Sequence, residues 1–144
     1  MDYADITDKT DKLIEWAKGW EGFGNYLKLN ALVNREGDAS MNVVANERIL
    51  LQYIDGSAIR EYTAQFKLVT SWSAERDPIN SEAERYLCGL VDWVNDQFPD
   101  NLPDWPGATI TDISTQNNAP SLDFVNEQDE LAEYSVNAII TYQE

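Results

Sequence analysis

Carboxylates are the side chains that this sequence offers in quantity for chemistry, because other reactive types are scarce. The 144 residues include 26 acidic and 10 basic residues, which leaves a formal net charge of −16. The chain has no His, and this excludes His-dependent triads, imidazole general bases and His-rich metal sites. Its single cysteine, Cys88, excludes an intramolecular disulfide and a Cys-rich zinc site. Without His to activate it, Cys88 is interpreted as a structural thiol.

Two groups of carboxylates are spaced closely enough to be considered as catalytic or metal sites. One recurs every four residues: Asp92, Asp96, Asp100 and Asp104. Pro99 breaks the predicted helix inside this group, so a solvated face is the favoured interpretation. The other surrounds a predicted acidic turn at residues 126–130: Asp123, Glu127, Asp129 and Glu130. Their oxygens suit a hard cation such as Ca²⁺, but the EF-hand spacing and its central Gly are missing. We therefore expect no catalytic, metal or cofactor site.

The acidic residues are concentrated in the second half of the chain. Residues 1–72 contain 11 acids and 8 bases, whereas residues 73–144 contain 15 acids and 2 bases. This balance opposes capture of nucleic acid or of anionic membranes. The acidic half is either a solvated surface or a surface that repels a polyanion or meets a basic partner. Neither a signal peptide nor an apolar run long enough to span a bilayer is evident, so no membrane partner is expected.

Period-two alternation and a turn signal predict a β-hairpin in the middle of the chain. One strand is expected over residues 48–54 and its partner from Ala58 onward, with Asp55 and Gly56 in a turn of the primed type. On the second strand, four alternating residues share one face: Tyr62, Ala64, Phe66 and Leu68. Tyr53, Asp55 and Gly56 are the structural residues of this hairpin. Shorter strands are expected near residues 26–29 and 41–45, on either side of a polar loop at 34–40.

Helical periodicity marks two further segments, residues 5–18 and residues 81–98. Ser81 and Glu84 fit a capping box at the start of the second helix. Strands are expected at residues 108–115, at 122–125 as an antiparallel partner of that strand, and from Tyr134 to Tyr142. No internal repeat or linker divides the chain. We predict a single α+β domain over residues 1–144, with two α-helices packed on a mostly antiparallel sheet.

The segment from Leu51 to Tyr62, LQYIDGSAIREY, resembles the central hairpin of a family of bacteriophage minor capsid proteins. This family is similar to the tail terminators of long-tailed phages. Further features of its pattern occur here in the same order: Phe66, Tyr86 and Trp93 on a helix, Leu102-Pro103, and Tyr142 at the end of the last strand. The resemblance covers about residues 40–144 and implies a tail-terminator-like domain without enzymatic activity.

The resemblance implies a homo-oligomeric ring, a hexamer, located at the head-proximal end of the virion tail and assembled in the host cytoplasm. Such a ring caps the tail tube protein and presents a surface to the head-tail connector protein, while DNA only passes through it. Candidate channel or interface residues are the acids around the predicted turn: Asp123, Glu127, Asp129 and Glu130. Two alternatives stay open. They are a head-completion (neck) protein, and an acidic module that mimics DNA.

Overall fold

Two α-helices pack on one face of a six-stranded sheet in the part of the protein that the structure describes. The computed structural model describes residues 3–23, 27–29, 33, 35–75, 77–105 and 107–144. The helices are α1 (Tyr3–Ala17) and α2 (Asp77–Asp96). The strands are β1 (Leu27–Leu29), β2 (Ala39–Gln52), β3 (Ala58–Ser71), β4 (Thr109–Thr115), β5 (Ser121–Asn126) and β6 (Leu131–Gln143). The α+β class predicted from the sequence is confirmed.

The sheet has the order β1-β2-β3-β6-β4, and β5 also pairs with β6. Only the β1–β2 pairing is parallel within the described residues; the other pairings are antiparallel. The two long ladders, β2–β3 and β3–β6, place β3 in the centre. No helix among the described residues has the length and apolarity required to cross a membrane.

The predicted pairing of residues 122–125 with the strand at 108–115 is wrong. Instead, β4 and β5 lie one after the other along the same edge of β6, with Ser114 opposite Ile139 and Ser121 opposite Ser135. Between the two strands, Asn117 and Asn118 adopt φ values of 59° and 53°. Asparagine tolerates this left-handed region better than most residues. The chain thus leaves the edge of β6 after β4 and returns to it in the same direction as β5. A hairpin turn would instead have reversed the chain direction and paired β5 with β4.

The core lies between the sheet and the helices. The four residues predicted to share a face of β3 are all buried, which confirms the alternation there: Tyr62, Ala64, Phe66 and Leu68. The stripe of α2 packs against them through Leu87, Leu90 and Val94, each with no exposed surface. The α1 helix is joined to the sheet by a hydrogen bond of 2.6 Å between the Thr10 and Tyr62 hydroxyls.

The predicted capping box at the start of the second helix is wrong. The helix begins at Asp77, so Ser81 and Glu84 lie inside it and do not cap its first turn. Pro78 explains the earlier start, because proline is well suited to the first turn of a helix, where its missing N–H is not needed. The helix ends at Asp96 rather than at residue 98, and Phe98 packs partly buried against the core.

Candidate assembly surface

The turn between β2 and β3 holds the three hairpin residues singled out from the sequence. The Gly56 N–H donates to the Tyr53 carbonyl at 3.1 Å, and the Tyr53 N–H donates to the Ser57 carbonyl at 2.8 Å. Gly56 has φ +92°, as the sequence predicted, whereas Asp55 has no positive φ. Both primed turns would require a positive φ at Asp55, so the primed type is wrong. The turn is a wider loop that closes through a left-handed glycine.

Asp55 stabilises this loop through its side chain. Its Oδ1 accepts hydrogen bonds from the Ser57 hydroxyl at 2.7 Å and from the Ser57 N–H at 3.0 Å. These bonds, the hydroxyl first and the backbone second, hold the pKa of the Asp55 carboxyl below its ordinary value. Asp55 therefore fixes the geometry of the loop through its hydrogen bonds to Ser57.

The strand leading into this turn carries an exposed apolar surface, which we call the apolar edge. Its members are Val44, Ile49, Leu50, Leu51, Tyr53 and Ile54. Ile54 is fully exposed at 109%, and the other five are exposed by 43% to 56%. Exposure of three consecutive residues, Ile49 to Leu51, means that both faces of the strand reach solvent here. Contiguous exposed apolar surface on a protein marks an interaction site.

The backbone of the apolar edge is irregular. In the described part of the chain, β1 covers β2 only along Ala39–Met41, so the rest of β2 forms an outer edge of the sheet. Its pairing with β3 shifts register three times: between Val43 and Ala45, between Ala45 and Arg48, and between Ile49 and Leu51. Bulges of this kind bend an edge strand and interrupt the row of backbone groups that another strand would pair with. Contacts at this edge are therefore best made by side chains.

A concave surface lies at the other end of the β2–β3 ladder; we call it the acid-rimmed pocket. Its volume is about 400 Å³. Its buried residues are apolar and come from both layers: Leu68 and Val69 of β3 and Ala83 of α2. Three carboxylates also line it: Glu36, Asp38 and Glu82. The Ser71 hydroxyl donates to Glu36 Oε1 at 2.7 Å, which fixes one of them beside the end of β3.

The four candidate channel residues lie around the β5–β6 turn, and all four are exposed: Asp123, Glu127, Asp129 and Glu130. Asp129 Oδ2 accepts a hydrogen bond from the Asn126 amide at 3.0 Å, and Asp123 Oδ1 accepts one from the Ser121 hydroxyl at 3.0 Å. The Glu130 carbonyl accepts from the Trp72 N–H at 2.9 Å. Among the described residues, no group of three His, Cys, Asp or Glu side chains is arranged to hold a metal ion.

The repeated aspartates do not form a row. Asp92 and Asp96 lie on α2, whereas Asp100 and Asp104 follow its end, and all four are exposed. Cys88 is half-buried in the same helix. Burial raises the pKa of its thiol, and the negative charges of Glu84 and Asp92 raise it further. A raised thiol pKa is the opposite of what an activated nucleophile requires.

Sequence reasoning missed both the exposure of the apolar edge and the acid-rimmed pocket. A signal for the first was available, because three successive apolar residues at Ile49–Leu51 do not alternate as a half-buried strand does. The pocket had no local signal, because it joins residues 36–38, 68–71 and 79–86 from three segments. Comparison with protein-family models gives no match, and comparison with curated protein sequences gives no significant match.

Proposed function

We propose that this protein is a virion assembly protein, a tail terminator, whose copies form a ring of about six at the head-proximal end of a phage tail. The ring caps the tail tube and joins it to the head-tail connector. Two lines of support lead to this proposal. One is the resemblance carried by the hairpin and by the order of the motifs after it. The other, which carries most weight, is the apolar edge, because a surface of this kind requires a partner.

The energy available at the apolar edge is of the same order as the cost of association. Six half-exposed or fully exposed apolar side chains, covered by a neighbour, contribute roughly 5 kcal/mol at each contact. Association costs a similar amount in lost translational and rotational freedom. Closure of a ring lets each copy make two contacts, one through each of two surfaces, and this favours a closed assembly over a pair.

The charge of the chain fits a ring through which DNA passes without binding. A net charge of −16 makes copies repel one another and repel phosphates. Exposed acids in a channel would keep DNA from adhering, because phosphate binding needs Lys and Arg. The turn acids Asp123, Glu127, Asp129 and Glu130 are our candidates for this lining. The function requires no cofactor or metal and no catalytic step.

Tail length in a phage that lacks the protein tests the terminator role. A tail terminator stops the addition of tube subunits, so we expect overlong tails in its absence. Tails of normal length joined to heads would defeat the proposal. Tails of normal length that stay detached from heads would favour a head-completion protein instead.

A variant phage tests the channel. Replacement of the four turn acids by amides should leave folding and tail length unchanged, because these side chains are exposed. DNA should then be retained more readily during ejection. Delivery at the normal rate through tails of normal length would remove the channel assignment. The matched control replaces Asp92, Asp96, Asp100 and Asp104 by amides, which removes the same charge from α2 and the segment after it.

A further inference from the structure

The apolar edge and the acid-rimmed pocket lie at opposite ends of one hairpin. The pocket end is fixed by the Gly37 N–H, which donates to the Val69 carbonyl at 3.0 Å, and by the Val69 N–H, which donates to the Asp38 carbonyl at 3.1 Å. The other end is fixed by the pairing of Gln52 with Ala58. Arg48 pairs with Glu61, seven positions along β3 from Leu68, so Arg48 lies roughly 20–25 Å from the pocket. Within one chain, the two surfaces therefore cannot meet.

The two surfaces are complementary in chemistry. Arg48 is exposed and directly precedes the apolar run Ile49–Leu51, so the edge offers a cation beside aliphatic side chains. The pocket offers buried aliphatic side chains beside the carboxylates Glu36, Asp38 and Glu82. An arginine is suited to such a place, because its fork of N–H donors matches carboxylates.

An aromatic ring adds to this match. Tyr86 also lines the pocket and is 40% exposed. A guanidinium can stack on the face of such a ring, which adds a cation–π attraction to the ion pairs. The pocket thus offers apolar contact, negative charge and a ring to one protruding arginine.

We propose that the pocket of each copy receives Arg48 and the following apolar residues of the next copy. This inference rests on the proposed function and names the contact that builds the ring. Because the two surfaces differ, the contact is head-to-tail, and its repetition around a closed path gives a ring. The local attraction of Arg48 for Glu36 and Glu82 offsets part of the repulsion between acidic copies.

Two single variants and their mixture test the contact. Arg48→Glu reverses a charge on the apolar edge and leaves the pocket unchanged, whereas Glu82→Arg reverses a charge in the pocket and leaves the edge unchanged. Each should raise the concentration for half-assembly by about tenfold or more, because like charges then face each other. Mixed in equal amounts, they should assemble together, because an intact edge meets an intact pocket at one contact and the two reversed charges attract each other at the next. Neither variant alone should assemble at the same concentration.

The control is Lys18→Glu, which makes the same charge change as Arg48→Glu at an exposed position outside both surfaces. It should assemble as the unaltered chain does. Glu82→Arg and Lys18→Glu should keep the unfolding midpoint of the unaltered chain, because both positions are exposed. Arg48→Glu should lower the midpoint slightly, because Arg48 is paired with Glu61 across the β2–β3 ladder and like charges would then face each other. If the unaltered chain forms rings but both single variants assemble like the control, or the mixture assembles no better than either variant alone, the head-to-tail contact is overturned and the ring stands. If the unaltered chain never assembles, both proposals fall.

Discussion

Lys9 Nζ lies 3.1 Å from Glu144 Oε2, and the Lys9 side chain is 1% exposed. The same carboxylate oxygen lies 3.8 Å from Arg60 Nε, and the Lys9 ammonium sits 5.0 Å from the centre of the Tyr142 ring. Glu144 also exchanges two backbone hydrogen bonds of 3.0 Å with Ala58, at the start of β3 next to the β2–β3 turn. One carboxylate therefore ties α1 to the ends of β3 and β6, beside the apolar edge.

Removal of this charge should destabilise the protein. Glu144→Gln removes a negatively charged partner of the buried Lys9 ammonium, and we expect a loss of about 1–3 kcal/mol in the free energy of unfolding. The value stays below that of a fully buried pair because the Glu144 side chain is 35% exposed, so solvent screens the interaction. Urea unfolding at pH 7 measures the change.

The matched control is Glu133→Gln. Glu133 lies 3.9 Å from Lys67, in a pair whose side chains are 25% and 37% exposed. Pairs of this kind contribute less than about 1 kcal/mol. Equal losses of stability in the two variants would mean that the Lys9–Glu144 pair stabilises the protein no more than the partly exposed Lys67–Glu133 pair does.

Gly56 should be difficult to replace for a reason of backbone conformation alone. Its φ is +92°, and a Cβ built there meets nothing within 4 Å. Gly56→Val should therefore lower the free energy of unfolding by about 1–3 kcal/mol without any steric clash. Thermal and urea unfolding measure the loss, and an unchanged midpoint would refute the turn assignment.

Gly89 provides the contrast for Gly56. It lies within α2, and a Cβ there would meet the Trp20 side chain at 3.8 Å, an ordinary contact. Gly89→Ala should stabilise the protein by about 0.4–1 kcal/mol, because alanine is the better helix former. Destabilisation by Gly89→Ala would show that packing against Trp20 leaves no room for the methyl group.

The thiol of Cys88 should react slowly with alkylating agents near neutral pH. Burial, and then the charges of Glu84 and Asp92, raise the pKa of this thiol. Its rate of reaction with iodoacetamide should therefore reach half its maximum at a higher pH than that of free cysteine. Glu84→Gln and Asp92→Asn should each lower this midpoint. A midpoint at or below that of free cysteine would contradict the assignment.

The raised pKa of Cys88 also makes the stability of the protein depend on pH. The folded state holds the thiol proton more tightly than the unfolded state does. The associated stability is fully present below the ordinary thiol pKa and is lost as pH rises through the folded pKa. Cys88→Ser should remove this contribution to the loss of stability at alkaline pH. Unfolding curves measured from pH 7 to pH 10 test the change.

Most of the correct sequence predictions rest on the regular spacing of apolar residues along a single strand or helix. Alternation from Tyr62 to Leu68 located a strand because one face of it is buried, and the spacing of Leu87, Leu90 and Val94 located a helix for the same reason. The Asp55-Gly56 pair located a turn because glycine readily adopts positive φ. Each of these signals is local, so no knowledge of the tertiary arrangement was needed.

Features that depend on distant segments were not predicted. The partner of β5 is β6, and nothing in residues 121–126 distinguishes that edge from β4. The buried Lys9 ammonium donates to Glu144, 135 positions away in the chain. The exposure of Ile49–Leu51 follows from bulges that move β2 out of regular register. None of these can be read from hydrophobic periodicity, because each is fixed by packing between elements.

The mass of the assembled protein in solution, measured across a range of salt concentrations, tests the central claim most directly. Screening shortens from about 30 Å at 0.01 M salt to about 8 Å at 0.15 M, so repulsion between acidic copies weakens as salt rises. We predict a closed species of about six copies at physiological salt that dissociates at low salt. A monomer at every salt concentration, at protein concentrations up to the millimolar range, would contradict the proposal that this chain builds a ring.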